Sequence, residues 1–363
     1  MDIKQGQIPS GTGFQMPAEW EPHDATWIGW PHKRTDWPRK MAPIPWVYGE
    51  IVRKTAPHEI VRLIVNGEAD AGRARRLLDR IGVEPSRVEL FRIATDRGWT
   101  RDVGPMFVAK RDGKKSTVAI VQFGFNGWAK YDDCSQDSQV SSAVSRLLSC
   151  ETFVPLIDGR QFILEGGSID VNGSGTLLTT EECLLDVVTQ VRNPGYSRVE
   201  IEEVLRAYLG VSKILWLGRG IAGDDTHGHV DDLCRFVDRR TVVLADEKNA
   251  HDANYEVLCE NYERLQSMTV EDGSAIEVVK MPMPAPLYCD GQRVPASYAN
   301  FYFCNDAVLV PTFNDPNDRV ALGILGELFP NREVVGIHAV DLVWGLGTIH
   351  CLTQQQPKVQ VTD

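Results

Sequence analysis

The stretch "TVVLAD" at residues 241–246 is short, apolar and rich in β-branched residues, which is typical of a buried strand. Similar runs recur along the chain: "TWIGWP" from residue 26, "PMFVAK" from 105, "TLLTTE" from 176 and "AVLVPT" from 307. Successive runs begin 79, 71, 65 and 66 residues apart. A period near 70 residues in a chain of 363 predicts five similar units, as in a repeat architecture that closes on itself.

Helical patterns lie between these runs, because apolar residues recur there at helical spacing. The predicted helices are 70–82, 138–149, 197–210, 254–266 and 318–329. Strands that alternate with helices predict an α/β protein. The chain has no linker-like tract, so we expect one domain over residues 1–363. The spacing by itself fits both a five-unit propeller and a doubly wound sheet.

The composition is that of an ordinary globular protein, with 43% hydrophobic and 24% charged residues. The formal net charge of −12 disfavours nucleic acid and anionic membrane surfaces as partners and favours a cationic ligand. No apolar run approaches the roughly 18 residues of a membrane span, and the N-terminal stretch does not resemble a secretory signal. The eight cysteines form no CxxC pair, so we expect reduced thiols and a cytoplasmic protein.

The segment "GDDTHGHVDD", residues 223–232, concentrates two histidines and four aspartates. This composition fits a di-metal hydrolase, and it equally fits a site that holds a cationic substrate without metal. If the backbone from His229 to Asp231 is extended, both side chains lie on one face, since strand side chains alternate. A buried histidine–aspartate pair is as often structural as functional, so this segment alone leaves both interpretations open.

Two further carboxylates stand where a strand meets a turn. Asp102 precedes a Gly-Pro break and a clear strand in "DRGWTRDVGPMFV". Glu165 precedes a glycine pair in "FILEGGSIDVNGSGTLLTT", and a carboxylate would project there at a strand-to-turn junction. Each position taken alone is also explained by ordinary turn chemistry.

Cys351 lies in "GLGTIHCLTQQQP", where two glycines lead into a predicted short strand. Glycines of this kind let the backbone come close to a ligand. A cysteine here, with His229 far away in the sequence, fits a nucleophile and its remote partner. The alternative is a buried and inert thiol, which is the usual state of a cysteine chosen at random.

Six stretches taken together are similar to one family. They are "MPAEWEPHDATWIGWP", "WTRDVGP", "LEGGSID", "GDDTHGHVDDLCRF", "ASYANFYF" and "GTIHCLTQQQP", in register from about residue 15 to residue 357. The chain resembles the agmatine deiminase family of the guanidino-group-modifying, or pentein, superfamily. This resemblance implies a five-bladed α/β propeller with pseudo-five-fold symmetry, and the period near 70 residues agrees with it.

The resemblance also implies roles for individual residues. Cys351 matches the family's nucleophile, His229 its general acid and base, and Glu165 the acidic partner of the histidine. Asp102 and Asp231 match the two carboxylates that bind the guanidinium. The implied reaction is hydrolysis of agmatine to N-carbamoylputrescine and ammonia, a step toward putrescine, with no metal and no other cofactor. We expect agmatine as the partner, no nucleic acid or membrane, and a homodimer.

Two positions near the expected pocket bear on the choice of substrate. Trp99 matches an aromatic residue that lines the family's substrate channel, and a planar cation would pack against such a ring. Asp225, together with Asp224, is assigned to the free amine of agmatine, although solvated loop carboxylates would look the same. The chain departs from the family pattern at His227, where relatives often have asparagine, and in "GLGTIHC", which replaces an adjacent glycine pair.

Three other functions compete with this one. A metal-dependent ureohydrolase needs several ligands around two metals, and the sequence offers no second cluster beside His227 and His229, since His350 is expected on the opposite strand face from Cys351. A free-arginine or peptidyl-arginine deiminase needs a cation for the substrate carboxylate, and Arg97 and Arg101 are candidates. A binding protein without catalysis is disfavoured because all five catalytic positions hold competent residues.

Overall fold

The computed structural model of the protein describes residues 8–112 and 115–359. The helices in these residues are α1 (Ile44–Thr55), α2 (Glu68–Arg80), α3 (Thr100–Val103), α4 (Val140–Leu148), α5 (Glu181–Leu185), α6 (Arg198–Leu209), α7 (Ala253–Gln266), α8 (Asn317–Leu328) and α9 (Ile349–Leu352). All five helices expected from the sequence are present, with ends shifted by one or a few residues.

The sequence prediction missed α1. It begins at a proline pair, because Pro43 caps it and Pro45 lies in its first turn, where proline costs no hydrogen bond. Ile44, Tyr48 and Ile51 are buried along one face at helical spacing, so the signal was present in the sequence.

The strands are numbered in chain order. They are β1 (His23–Gly29), β2 (Ile60–Val65), β3 (Val88–Arg92), β4 (Met106–Asp112), β5 (Lys115–Val121), β6 (Glu151–Phe153), β7 (Leu156–Ile157), β8 (Arg160–Gln161), β9 (Asp170–Val171), β10 (Thr176–Thr180), β11 (Lys213–Leu217), β12 (Cys234–Phe236), β13 (Thr241–Asp246), β14 (Glu277–Pro282), β15 (Tyr288–Cys289), β16 (Gln292–Arg293), β17 (Tyr302–Phe303), β18 (Ala307–Thr312), β19 (Glu333–His338) and β20 (Thr353–Pro357).

Five sheets share one pairing pattern in the described part of the chain. Each has a central strand between an antiparallel edge strand and a parallel neighbour: β20-β1-β2, β4-β5-β6, β9-β10-β11, β12-β13-β14 and β17-β18-β19. A helix joins each central strand to its parallel neighbour, as a parallel connection requires. The first sheet gains a fourth strand, β3, and two hairpins, β7-β8 and β15-β16, stand apart.

Four of the five apolar runs in the sequence form central strands, namely β1, β10, β13 and β18. The run "PMFVAK" instead falls mostly in β4, the edge strand of its sheet, and the central strand there is β5. β4 and β5 form a hairpin paired over seven residues, so both are β-prone and the pattern does not tell one from the other.

The central strands are buried deeply. Every residue of β10 is buried, as are the first five residues of β13 and of β18. Near-continuous apolar strands are expected when both faces of a sheet are covered. The segments that precede the antiparallel edge strands carry the polar side chains described below. No helix in residues 8–112 and 115–359 is both long and apolar enough to cross a membrane.

Candidate active site

A cavity of about 320 Å³ opens onto Asp102 and Cys351. These two residues are only 5% and 6% exposed, so they lie at its bottom. Aromatic and charged side chains form much of the remaining wall, and they are Asp36, Arg97, Trp99, Trp128, Tyr131, Asp225, Asp290 and Trp344. The volume falls within the range of small-molecule sites.

Five segments bring polar side chains to this region, and each directly precedes the antiparallel edge strand of one sheet. They hold Asp102 before β4, Glu165 before β9, His229 and Asp231 before β12, Asn300 before β17, and Cys351 before β20. The same structural position is therefore used once in each of the five sheets. We call Asp102, Glu165, His229, Asp231 and Cys351 the floor cluster.

Cys351 lies on α9, a single helical turn, and not in the short strand expected from the sequence. The strand begins two residues later, at Thr353. The Asn300 side-chain amide donates to Cys351 Sγ at 3.1 Å, and Asp231 Oδ2 lies 3.7 Å from the same sulfur. Burial raises the pKa of the Cys351 thiol well above its usual value, and Asp231 and other nearby carboxylates add to the effect.

The two aspartates of the floor cluster are held by different groups. Asp102 accepts hydrogen bonds from the Gly167 amide and from Trp128 Nε1, both at 2.9 Å. Burial raises the pKa of Asp102. Asp231 Oδ2 lies 2.6 Å from His350 Nδ1, while Asp231 Oδ1 is buried without a hydrogen-bond partner. Burial acts to raise the pKa of Asp231, but His350 outweighs it and the pKa is lowered.

His229 has no hydrogen-bond partner at either ring nitrogen among the described residues. Nδ1 lies 3.8 Å from Asp102 and 4.0 Å from Asp231, and Nε2 lies 3.8 Å from Glu165, all too long for hydrogen bonds. Burial acts to lower the pKa of His229, but Asp102, Cys183 and Glu165 outweigh it and raise the pKa well above its usual value. The ring therefore faces three carboxylates, and none of them lies within hydrogen-bond distance of either nitrogen.

The backbone at 229–231 is not extended, so the predicted reason for pairing His229 with Asp231 was wrong. Residues 230–232 form a 3-10 turn, and the strand begins only at Cys234. Asp224 fixes this turn, because its Oδ2 accepts from the His229 amide at 2.9 Å. The two side chains converge through the turn and its tertiary contacts.

Glu165 is completely buried and pairs with a buried cation, Arg192. The Arg192 Nε donates to Glu165 Oε1 at 3.1 Å, and Oε2 is left without a hydrogen-bond partner. Burial acts to raise the pKa of Glu165, but Arg192 and His229 outweigh it and lower the pKa to about 2. Glu165 is therefore ionised at neutral pH and faces His229.

A second group, Asp36, Arg97, Lys130, Tyr131 and Asp225, forms what we call the wall cluster. Its charges are paired with one another. Arg97 donates to Asp36 at 2.5 Å, while Lys130 and Tyr131 donate to Asp225 at 2.5 and 2.7 Å. Burial raises the pKa of Asp36 to about 6, against the effect of Arg97. Asp225 lines the cavity, as the substrate assignment from the sequence requires.

Trp99 lies on the cavity wall, in agreement with the position expected for a channel-lining aromatic. Its Nε1 donates to Asp36 at 3.0 Å, which fixes the indole plane. The remaining candidates lie elsewhere. Asp224 is engaged in its own loop, and His227 pairs with Asp186 at 2.7 Å.

Several residues around the floor cluster escaped the sequence prediction, namely Glu19, Trp128, Arg192, Asp232, Arg235 and Asn300. Glu19 and Asn300 lie inside quoted family stretches, but nothing in their local spacing distinguishes them. His350 was assigned to the wrong place, because α9 turns its ring toward Asp231 rather than to an opposite strand face.

Two groups of buried side chains have the composition of metal ligands. Glu165, Cys183 and His229 form one group, and Asp231, Asp232 and Cys351 form the other. The prediction that no second ligand cluster exists overlooked Cys183, which lies 46 residues before His229 in the chain. Arg192 already neutralises Glu165, so a cation in the first group would meet a fixed guanidinium.

Known proteins are similar to this chain over nearly its whole length. The family model described as Porphyromonas-type peptidyl-arginine deiminase matches residues 15–357. The chain belongs to this family. A relative in Medicago truncatula named agmatine deiminase is 38% identical, over 97% of this chain and 98% of that protein. One in Pseudomonas aeruginosa (strain UCBPP-PA14), also named agmatine deiminase, is 37% identical over 96% and 97%.

Solved structures agree with this membership. The agmatine deiminase of Enterococcus faecalis, at 32% identity, superposes with a TM-score of 0.88 over 97% of this chain and 98% of that one. The resemblance stated from the sequence, to agmatine deiminases of the pentein superfamily, is confirmed. The expectations of an α/β fold and of an enzyme that acts on a carbon–nitrogen bond are confirmed with it.

Proposed function

We propose that the protein hydrolyses agmatine to N-carbamoylputrescine and ammonia through a covalent intermediate on Cys351. The observation that carries the proposal is the floor cluster itself. A thiol, an imidazole without a hydrogen-bond partner among the described residues and two carboxylates converge, and Cys351 and Asp102 of this group line the bottom of the cavity. The relatives named agmatine deiminase support the choice of substrate.

The guanidinium of the substrate binds between Asp102 and Asp231. A planar guanidinium offers paired N–H donors that carboxylate oxygens accept, and two such contacts fix the position of its central carbon. The free Oδ1 of Asp231 is one acceptor, and a buried oxygen without a hydrogen-bond partner costs free energy until a donor arrives. Trp99 and Trp128 offer ring faces against which the cation packs.

The Cys351 thiolate then attacks the guanidinium carbon and forms a carbon–sulfur bond. His229 protonates one nitrogen, the carbon–nitrogen bond to it breaks, and ammonia leaves. Water next attacks the amidino-thioether carbon while His229 takes up its proton. The carbon–sulfur bond breaks as the new hydroxyl gives up its proton to solvent, which returns the thiolate and releases the ureido product. Covalent catalysis splits a difficult displacement into two easier steps, and general acid–base help is typically worth about 10²–10⁴ in rate.

Substrate binding also activates the nucleophile in this proposal. In the empty site, burial and nearby carboxylates raise the pKa of Cys351, which disfavours the thiolate. A guanidinium bound near the sulfur adds a positive charge beside these carboxylates, and a nearby positive charge favours the thiolate. Titration of the thiol with and without an inert guanidinium compound tests this step, and we expect a lower thiol pKa in the complex. An unchanged pKa would refute substrate activation without touching the overall reaction.

The wall cluster favours agmatine over arginine. Arg97 is the one cation among the described lining residues, and both of its terminal nitrogens are paired, with Asp36 and with Asp133 at 3.0 Å. Arg101 is buried and bound to Gln355 and Glu19. A substrate carboxylate therefore meets no free cation there. Asp225 is also paired, with Lys130 and Tyr131, but it lines the cavity and is the carboxylate assigned to the amine of agmatine.

The five sheets support a further structural proposal. We infer that residues 1–363 form one catalytic domain, in which the five sheets are five blades around the cavity. Each sheet has the same strand order and contributes its polar residue from the same position. We also propose that the enzyme acts in putrescine biosynthesis in the cytoplasm and forms a homodimer, and sedimentation analysis tests the dimer.

The reaction is tested by incubating chelator-treated protein with agmatine and identifying the products by mass spectrometry. We expect N-carbamoylputrescine and ammonia without added metal, and no product from Cys351→Ala. Putrescine and urea, formed only when manganese is added, would establish a metal-dependent ureohydrolase instead. Turnover of free or peptidyl arginine but not of agmatine would retain the deiminase chemistry and refute the substrate.

A further inference from the structure

A buried imidazole joins two carboxylates directly beneath the cavity. His350 Nδ1 lies 2.6 Å from Asp231 Oδ2, and His350 Nε2 lies 2.7 Å from Glu19 Oε2. All three side chains are at most 4% exposed. The mechanism above uses neither Glu19 nor His350, although both are buried titratable groups, so their role is a separate question.

Both carboxylates are ionised. Burial acts to raise the pKa of Glu19, but Arg235, His350 and Arg101 outweigh it, and the pKa lies well below its usual value. The pKa of Asp231 is also lowered, by His350 against the effect of burial. Each ring nitrogen of His350 lies within hydrogen-bond distance of one of these carboxylates, so the imidazole bridges the two.

Glu19 is a rigid base for this bridge. Its Oε2 also accepts from Arg101 at 3.2 Å and from Arg235 at 3.0 Å, and its Oε1 accepts from the Phe303 amide at 3.0 Å. The remaining acceptor capacity of Glu19 is thereby used, and the ring of His350 has one orientation that satisfies both ends.

The contact with His350 decides which oxygen of Asp231 stays free. Its Oδ2 is fixed by His350, which leaves Oδ1 buried, unpaired and directed toward the His229 side of the site at 4.0 Å. Asp102 differs, because neutral N–H groups of Gly167 and Trp128 hold both of its oxygens. Of the two guanidinium carboxylates, Asp231 is therefore the one with a free oxygen, and an imidazole holds its other oxygen.

We propose that His350, anchored by Glu19, is a positioning residue that orients Asp231 so that one of its oxygens stays free for the guanidinium. This inference rests on the proposed role of Asp231 in substrate binding. His350 itself does not touch the substrate and transfers no proton in the reaction. It acts through the carboxylate that it holds.

Two substitutions separate this role from a structural one. The amide nitrogen of asparagine takes the place of Nδ1, so His350→Asn keeps a donor to Asp231 and loses the contact with Glu19. The amide nitrogen of glutamine takes the place of Nε2, so His350→Gln keeps Glu19 and releases Asp231. We expect kcat/KM for agmatine to fall about 10-fold in His350→Asn and about 100-fold in His350→Gln, the scale of an ångström-sized misplacement.

The melting temperatures of both variants are the control. A bridge that only stabilises the fold would lower the melting temperatures without a larger loss of activity in His350→Gln than in His350→Asn. Activity in His350→Gln equal to or above that in His350→Asn would overturn the proposal, as would wild-type activity in both. A wild-type enzyme that does not act on agmatine would refute the proposed function instead.

A measurement on the unaltered enzyme covers the case in which neither variant folds. Nitrogen-15 chemical shifts of selectively labelled histidine report whether each ring nitrogen takes part in a hydrogen bond. We expect both ring nitrogens of His350 to show strong hydrogen bonds. A ring with one nitrogen outside any hydrogen bond would overturn the proposed bridge, whatever the substrate of the enzyme is.

Discussion

The cavity is lined by Asp102 and Cys351 of the floor cluster and by Asp36, Arg97, Tyr131 and Asp225 of the wall cluster. The two clusters differ in how many of their buried polar atoms have hydrogen-bond partners. In the floor cluster, Glu165, His229 and Asp231 all have buried atoms without hydrogen-bond partners. In the wall cluster, Asp36, Arg97 and Asp225 are paired within the cluster, and of their described side-chain atoms only Arg97 Nε is buried without a partner. A folded chain normally satisfies its buried polar groups, so a group of unsatisfied ones around His229 agrees with the proposed binding of a substrate there.

This difference assigns different tasks to the two clusters. Unpaired groups in a desolvated site interact strongly with charge that develops during a reaction, because little water competes with them. Groups that are already paired interact more weakly with such charge and act mainly by admitting or rejecting a ligand. Changes in the floor cluster should therefore lower kcat, and changes in the wall cluster should raise KM.

Removal of the nucleophile has the largest expected effect. Cys351→Ala should lower kcat for agmatine by about 10⁴-fold or more, since later steps depend on the covalent intermediate. Cys259→Ala, which removes an exposed thiol, is the matched control and should retain full activity. Residual turnover within tenfold of wild type would mean that water attacks directly and that the floor cluster has no nucleophile.

Glu165 tests how the floor cluster tolerates buried charge. The folded pKa of Glu165 is about 2 and lies below its unfolded value of 4.5. The ionised carboxylate therefore contributes its full stabilisation above pH 4.5, and this contribution is lost as the pH falls toward 2. We expect Glu165→Gln to lower the free energy of unfolding by about 3 kcal/mol at pH 6, the size that follows from such a shift. Urea denaturation from pH 6 to pH 3 should show this difference shrinking. A constant difference would contradict the assigned ionisation.

Gly167 tests the close approach inside the floor cluster. A Cβ at this position would lie 2.5 Å from His229 Nδ1 and 3.0 Å from Asp102 Oδ1. Gly167→Ala should displace the imidazole and lower kcat about 100-fold, the cost of a misplaced catalytic group. Gly323→Ala is the matched control, because its Cβ meets nothing within 4 Å. Equal activities of the two variants would show that the imidazole moves without cost.

Asp225 tests the wall cluster and has the smallest expected effect. Asp225→Asn removes the anion assigned to the amine of agmatine, so KM should rise about 10-fold with kcat nearly unchanged. Asp290→Asn, at a more exposed lining carboxylate, is the comparison and should change KM less. Steady-state kinetics of both variants decide the matter. A fall in kcat without a change in KM would contradict the assignment of substrate binding to the wall cluster and of catalysis to the floor cluster.

Sequence reasoning found the chemical types of the floor cluster but not the reasons for their convergence. Asp102, Glu165, His229, Asp231 and Cys351 were all named, and the structure brings them together. The local conformations were wrong at Cys351 and at His229–Asp231, because two short turns of helix replace predicted strands. A single turn is too short to leave a periodic pattern in the sequence.

The sequence alone determined the alternation of strands and helices and the recurrence of apolar runs. Burial of one face of a helix or strand places apolar residues at a regular spacing, which is visible in residues that are close in the sequence. The site depended on pairings that no local pattern contains. Glu19 and His350 are 331 residues apart, and Asp231 is 119 residues from His350. Only the tertiary structure decides which of these charges meet, since desolvation makes each one costly until its partner is in place.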